Sequence, residues 1–281
     1  MTMQEMGRVP EGENLQFLQD VLTDVSEIAR RNFGRTASIS TKDGDNNQVL
    51  TETDLEIGKL IVDRIQETFP THNIIDEEAG VIDKGSEHTW IVDPVDGTSN
   101  FANRAPLFGT IIGKLYKNKA VVGGVALPMF SEIYLAEQGR GTFCNGEKLG
   151  VTSEQNLLAV LVGYSLDGHQ ENPQLTYEEC ALLADIILGC RNLRTSGSIF
   201  DAMQVAKGNY GAYHHRNTKI WDIVGMQVII EEAGGVFTNF DGSPVDYTDH
   251  LKRAKDKYPF STAAPEIHRQ LQEIIHRSKV I

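Results

Sequence analysis

The chain has 281 residues, 40% of them hydrophobic and 23% charged, with a formal net charge of −13. That length can bury a large core in one α/β domain or two lobes, and the composition excludes a disordered chain. The acidic balance argues against a nucleic-acid polymer or an anionic membrane as the main partner. It leaves room for a small phosphorylated substrate, because bound divalent cations reverse the potential locally.

The opening MTMQEMGRVPEGEN has no apolar run of signal-peptide length, and no stretch approaches the length of a membrane span. Three cysteines, Cys144, Cys180 and Cys190, lack a framework spacing. Free thiols in a reducing, cytoplasmic compartment are the expectation.

Helical spacing of Leu15, Leu18, Val21, Leu22, Val25, Ile28 and Ala29 predicts a first amphipathic helix, with Gly34 as its stop. Residues 37–53 read as two short strands around a Gly/Asp/Asn turn. Asp54 opens a second helix whose stripe is Ile57, Leu60, Ile61, Ile65 and Phe69, and Pro70 ends it. A short strand, Asn73 to Asp76, runs into Glu77 and Glu78, and a polar loop, Gly80 to His88, follows.

Next comes TWIVDPVDGTSNF, Thr89 to Phe101. An apolar strand delivers Asp93 and Asp96 to a turn, and a short helix begins after Gly97 and Thr98. Such a turn offers hard oxygen ligands for magnesium and free backbone N–H groups for a phosphate. An Asx-type turn, with Asp, Pro and Gly present for conformational reasons alone, is the plainer alternative.

From Phe108 the pattern alternates between tight turns, which predicts an antiparallel meander with a hairpin at Asn145–Gly146. Around residue 156 strands begin to alternate with helices. LLAVLVGYS is a strand, the Asp167–Tyr177 loop leads to a helix ending near Gly189, and CRNLRTS is a strand. GSIFDAMQVAKGN is a helix, GAYHH a strand, Ile220 to Ala233 a helix, VFTNF and FSTAA strands, and Pro265 to Ser278 a last amphipathic helix. The predicted architecture is α/β (α+β): helices packed on two sheets, the first largely antiparallel and the second mixed. A lobe of residues 1–155 would carry most of the acidic ligands, and a lobe of 156–281 would carry Asp222 and the substrate-side wall.

Acidic residues stand where apolar elements end at four places: Asp54, Glu77 with Glu78, Asp93 with Asp96, and Asp222. Carboxylates at strand ends converge on the crevice of α/β structures. Several together stay ionised only with cations, and oxygen-only ligation points to magnesium or manganese. For Asp54 and Asp222 the alternative is a helix-start residue facing the dipole. No His or Cys pair has zinc spacing, and adjacent His214 and His215 on a strand point to opposite faces.

DPVDGTSNF, with IIDEEAG and TETD upstream and WDIVGMQVIIEEAGG downstream, resembles the inositol monophosphatase family over nearly the whole chain. The resemblance implies a layered α/β/α/β/α sandwich and a lithium-sensitive, magnesium-dependent phosphomonoesterase, usually a homodimer. It assigns Glu77, Asp93 and the carbonyl of Val95 to a first magnesium. Asp93, Asp96 and Asp222 would hold a second, and Glu77 with waters a weaker third. Asp54 and the Thr98 hydroxyl, with Glu77, match the catalytic set that orients and deprotonates water. The N–H groups of Gly97 and Thr98 would bind phosphate, with Asp96, Asp222, Ser196 and Gly197 on the substrate side.

Two departures bear on the substrate. Inositol-specific members carry an acidic residue six positions before the Trp–Asp pair, where this chain has His215, beside Arg216. An imidazole cannot accept two hydroxyl protons as a carboxylate does; a solvent-exposed strand end is the alternative. RTSGSIFD is also one residue shorter between Gly197 and Asp201 than the family's usual form. The leading expectation is therefore hydrolysis of a small phosphorylated polyol or sugar. A histidinol-phosphate, fructose-1,6-bisphosphate or 3′(2′),5′-bisphosphate nucleotide phosphatase is the alternative within the fold, and a non-catalytic binding protein the alternative outside it.

Overall fold

A computed structural model describes residues 12–35, 39–41 and 49–278. The polar start and the Gly/Asp/Asn turn expected between the first two strands lie outside the described residues. Two short strands, β1 (Ile39–Thr41) and β2 (Val49–Thr51), pair antiparallel.

Helices α1 (Glu13–Asn32) and α2 (Glu52–Thr68) pack against one face of the first sheet. They bury the apolar stripes expected of them, among them Leu18, Leu22, Ile57 and Ile61, over Trp90, Val92 and Ile112. That sheet contains β3 (Asn73–Asp76), β4 (Gly80–Ile82), β5 (His88–Asp96), β6 (Gly109–Tyr116), β7 (Lys119–Leu127), β8 (Glu132–Glu137), β9 (Gly141–Cys144) and β10 (Glu147–Lys148). Its order is β10-β9-β8-β7-β6-β5-β3-β4, antiparallel throughout except for the parallel β3–β5 pair.

The second sheet is mixed. Strands β11 (Leu161–Ser165), β12 (Asn192–Arg194), β13 (Ala212–His215), β14 (Val236–Asn239) and β15 (Phe260–Ala263) run in the order β12-β11-β13-β15-β14. Here β11 is parallel to β12 and β13, while β15 is antiparallel to β13 and β14. Helices α5 (Ile199–Ala206) and α6 (Ile220–Glu232) fill the space between the sheets, and α4 (Pro173–Gly189) and α7 (Pro265–Arg277) cover the far face. The layers are α/β/α/β/α, as expected.

Close approach sets where α6 lies. A Cβ at Gly113 would stand 2.5 Å from the Gly225 nitrogen, and one at Gly123 would stand 2.2 Å from the Gly225 carbonyl oxygen. Glycine on both surfaces lets the helix backbone rest on β6 and β7. The start of α6, and with it Asp222, is thereby fixed against the first sheet.

Four local expectations need correction. The polar loop after Glu78 contains a strand, because Ile82 packs against the outer core and pairs with Ile74. Residues 157–159 form a 3₁₀ turn rather than the start of β11, with the Asn156 side chain accepting the Leu158 N–H. Helix α4 begins at Pro173, inside the expected loop, since proline suits the first helical position. Strand β5 continues through Pro94 to Asp96 instead of ending before the acidic pair.

Candidate active site

That last difference builds the site. Side chains three positions apart on a regular strand point to opposite faces. In β5, Asp93 is opposite Ile111 and Asp96 is opposite Gly109, so three steps on one strand match two on the other. The extra residue is a β-bulge, the form in which proline is tolerated within a sheet. The Pro94 carbonyl accepts the Thr110 hydroxyl at 2.7 Å, which pins the bulge. Asp93 and Asp96 are thereby turned to the same face, towards α5 and α6.

The other acidic residues arrive from three directions. Glu77 follows β3, whose register pairs Asp76 with Val92, and its N–H donates to the Val92 carbonyl at 3.1 Å. Asp76 shapes this turn by accepting the Glu78 and Ala79 N–H groups at 2.9 and 2.6 Å. Asp222 sits in the first turn of α6 and accepts the Lys219 N–H at 2.5 Å. Asp54 sits in the first turn of α2, where it caps the helix through the Thr51 N–H at 2.9 Å. Both helix-start roles are therefore real, and each uses only one carboxylate oxygen. The other Asp54 oxygen receives the Thr98 hydroxyl at 3.1 Å, and that hydroxyl also lies 2.8 Å from the Val95 carbonyl.

One ligand oxygen each from Asp93, Asp96 and Asp222 lies within 4.8 Å of the others. Asp93 Oδ1 is buried without a hydrogen-bond partner. Burial, followed by the charges of Glu77, Asp96 and Asp222, pushes the Asp93 carboxyl well above its ordinary range. Asp96 is pushed up to about 7 by burial and by Glu77 and Asp201, against the opposing Ile199 N–H. Asp222 is also pushed up to about 7, by burial and then by Asp96 and Glu77. Asp54 is raised chiefly by burial. Carboxylates so crowded and dehydrated either hold protons or share cations, and an all-oxygen donor set fits a hard divalent ion.

Gly97 turns the chain from β5 into the short helix α3 (Thr98–Ala102), with φ at +83°. Its own Cβ would meet the Ser198 Cβ at 2.9 Å and the Leu107 carbonyl at 3.1 Å. Gly97→Ala is therefore expected to cost roughly 1–3 kcal/mol of stability through strain and overlap. Thermal melting of the variant beside wild type measures that loss, and phosphate release shows whether the turn still works.

The family model described as "Inositol monophosphatase family" matches residues 13–276. The chain belongs to the inositol monophosphatase family. The fructose-1,6-bisphosphatase/inositol-1-monophosphatase of Aquifex aeolicus is 28% identical over 235 residues, covering 83% of this chain and 88% of the relative. A Nus factor SuhB of Pseudomonas aeruginosa is 29% identical over 221 residues, covering 77% and 82%. Among solved structures, the IMPase of Thermotoga maritima aligns with a TM-score of 0.83 at 26% identity, covering 95% of this chain and 98% of that one. The chain is an inositol monophosphatase family phosphatase.

Within this family member the sequence-predicted residues gather at one edge, where both sheets present strand ends to α5 and α6. Val95 buries its side chain in the outer core while its carbonyl meets Thr98. Ser196 and Gly197 lie in the loop before α5. Asn100 holds that loop by donating to the Ser196 carbonyl, and Asp201 by accepting the Ser196 N–H, at 2.7 and 2.9 Å. His215, half-buried, lines a small cavity with Asp96 and Asp222. His214 points the other way, buried between the rings of Tyr164 and Phe240.

Sequence reasoning missed the partner of His215. Its Nε2 lies 3.0 Å from Asp167 Oδ2. Burial raises the Asp167 carboxyl, but His215, Asn217 and His169 outweigh it and hold the group below its ordinary range. The available signal was a lone Asp two residues beyond a predicted strand. It became informative only when the register set Ser165 beside His215.

Proposed function

We propose that this chain hydrolyses the phosphate monoester of a small phosphorylated polyol or sugar, using magnesium, with manganese as a substitute. The observation that carries the reading is the convergence of Asp93, Asp96 and Asp222 within 4.8 Å beside a partnered Asp54–Thr98 pair. Glu77, Asp93 and the Val95 carbonyl would hold one ion, and Asp93, Asp96 and Asp222 another, with Glu77 available to a weaker third. Bound magnesium would supply neutralisation of the phosphoryl oxygens and acidification of a water.

The remaining work belongs to the chain itself. Thr98 donates to Asp54, so its oxygen is oriented to accept from a water in the site. Asp54, buried and raised, is placed to take the proton that this relay removes. The first-turn N–H groups at Gly97 and Thr98 have no partner within their helix and present donors to a phosphate. Ser196 and Gly197 wall the same side. A homodimer and a cytoplasmic location complete the proposal, the first resting on the family resemblance and the second on thiols that remain unpaired. No helix among the described residues is long and apolar enough to cross a membrane.

Phosphate release from inositol, sugar, histidinol and nucleotide phosphates, with and without magnesium, tests the proposal. Release from none would leave a non-catalytic role, a reading favoured by the SuhB relative's name as a Nus factor. The complete acidic set favours turnover.

Selectivity should follow His215 and Asp167 together. Replacing His215 alone with Glu would set a second carboxylate against Asp167, where like charges repel. The double variant Asp167→Asn/His215→Glu is therefore expected to shift the kcat/KM ratio towards inositol 1-phosphate, by ~1–3 kcal/mol for one buried polar contact. An unchanged ratio would show that these side chains do not meet the leaving group.

A further inference from the structure

A second cavity, of about 360 Å³, is walled by residues that follow β13 and β14 and by the loop that precedes β15. It shares no wall residue with the acidic cavity of Asp96 and Asp222. Three cations, Arg216, Arg253 and Lys257, face two carboxylates, Asp241 and Asp246.

These charges are unequal in what they have left to bind. Arg253 is engaged by Asp246 at 3.2 Å and by Asp256 at 3.0 Å. Asp241 accepts the Ser243 N–H and hydroxyl at 2.9 and 2.6 Å. Arg216 instead lies over the Phe240 ring, 5.0 Å from its centroid. Among the described residues, neither Arg216 nor Lys257 has a carboxylate within ion-pair distance. Glu179 and Glu171 feel the Arg216 and Lys257 charges, respectively. Each is already engaged, Glu179 by the Tyr164 hydroxyl at 2.9 Å and Glu171 by His169 at 3.3 Å. Lys257 also crowds Lys219, whose ammonium is lowered by burial and then by the Lys257 charge. An anion beside Lys257 would relieve that repulsion.

A second observation points the same way. Tyr258, another wall residue, is 3% exposed, and its hydroxyl is buried without a hydrogen-bond partner among the described residues. Burial raises this phenol, so it keeps its proton and remains a donor. A buried hydroxyl left unpaired costs stability that an acceptor would restore.

The remaining donors discriminate between anions. Phosphate concentrates its oxygens at one point and is commonly held by backbone N–H groups or a helix N-terminus. Here the N–H groups of Asn239, Phe240, Arg253 and Tyr258 are already bonded to the carbonyls of Ser243, Pro259, Asp249 and Thr218, and Pro259 has none. No wall residue begins a helix. What is left is a planar guanidinium, an ammonium and a phenol, with Phe240 and Pro259 as apolar wall. A guanidinium fork matches the two oxygens of a flat carboxylate.

We propose that this cavity binds a small organic dicarboxylate, with Arg216 and Lys257 each meeting one carboxylate and the Tyr258 hydroxyl donating to one of them. The carbon chain would lie against Phe240 and Pro259. The inference stands apart from the hydrolytic reading, because it uses none of the acidic residues.

Glutarate is the probe, titrated calorimetrically into the full chain in the presence of a chelator. Butyrate, which lacks the second carboxylate, and inorganic phosphate are the comparisons. Glutarate is expected to bind saturably, with an affinity about tenfold or more above that of butyrate. Arg216→Gln/Lys257→Gln should lower the glutarate affinity about tenfold or more. Lys257→Gln alone, at an exposed position, and Tyr258→Phe should each lower it severalfold, which keeps the test sharp if the double variant fails to fold. No saturable binding to wild type would overturn the site, as would an affinity unchanged in these variants. Phosphate binding as tightly as glutarate, with the same dependence on Arg216 and Lys257, would overturn the assignment to a dicarboxylate.

Discussion

Asp93→Asn is expected to abolish turnover while leaving the fold intact. Asp93 is 2% exposed, carries an oxygen without a protein partner, and is crowded by Glu77, Asp96 and Asp222. An amide of the same shape keeps the packing but supplies no charge to be shared between two cations. The loss should be at least about a thousandfold, or ~4 kcal/mol of transition-state stabilisation. Without metal the variant should melt at or above the wild-type temperature, because removing one buried charge relieves repulsion among the others. Phosphate release at saturating magnesium and melting in a chelator give the two readouts. Near-normal activity at moderate magnesium would refute the shared-ligand arrangement.

Stabilisation by magnesium should grow as pH rises from about 5.5 to 8, mostly below and around neutrality. Asp96 and Asp222 have folded-state values near 7, above the ordinary 3.8 of the unfolded chain. For such groups the sign is unambiguous. The metal-free folded state binds more protons than the unfolded state, so its stability is highest below about 4 and is lost as pH climbs to about 7. Magnesium displaces those protons and removes the penalty, so the difference between melting with and without it widens over that window. Histidines whose values are lowered act in the opposite sense. His72, lowered to about 4 mainly by burial, costs stability as pH falls from about 6.5 towards 4. That contribution is the same with and without magnesium and cancels in the difference. A gap that stayed flat with pH, or narrowed as pH rose, would refute the assignment of these two aspartates to the ion.

Much of this molecule was legible because its signals are local. The 3.6-residue spacing of Leu15, Leu18 and Leu22 makes a helix with one buried stripe wherever the chain lies. The alternation from Phe108 onward makes a meander because its turns are short and carry their own chemistry. The DPVDGT stretch and the WD pair identify the acidic set for the same reason. Strand β4 was hidden because three residues give too short a pattern to separate from a loop, and its pairing with β3 is not a local property.

What the chain determined by itself, then, is which segments are helices and strands, which carboxylates stand at their ends, and the family those spacings resemble. The fold decided how those ends meet. Asp93 and Asp96 share a face only because Thr110 and the β6 register hold a bulge at Pro94–Val95. Asp167 reaches His215 across 48 residues only because β11 and β13 are parallel neighbours. Arg216 and Lys257 share a cavity only because β13 and β15 end together at one edge of the second sheet. Each of these depends on strand register. Register is set by the burial of whole faces against distant elements, so no window of sequence contains it.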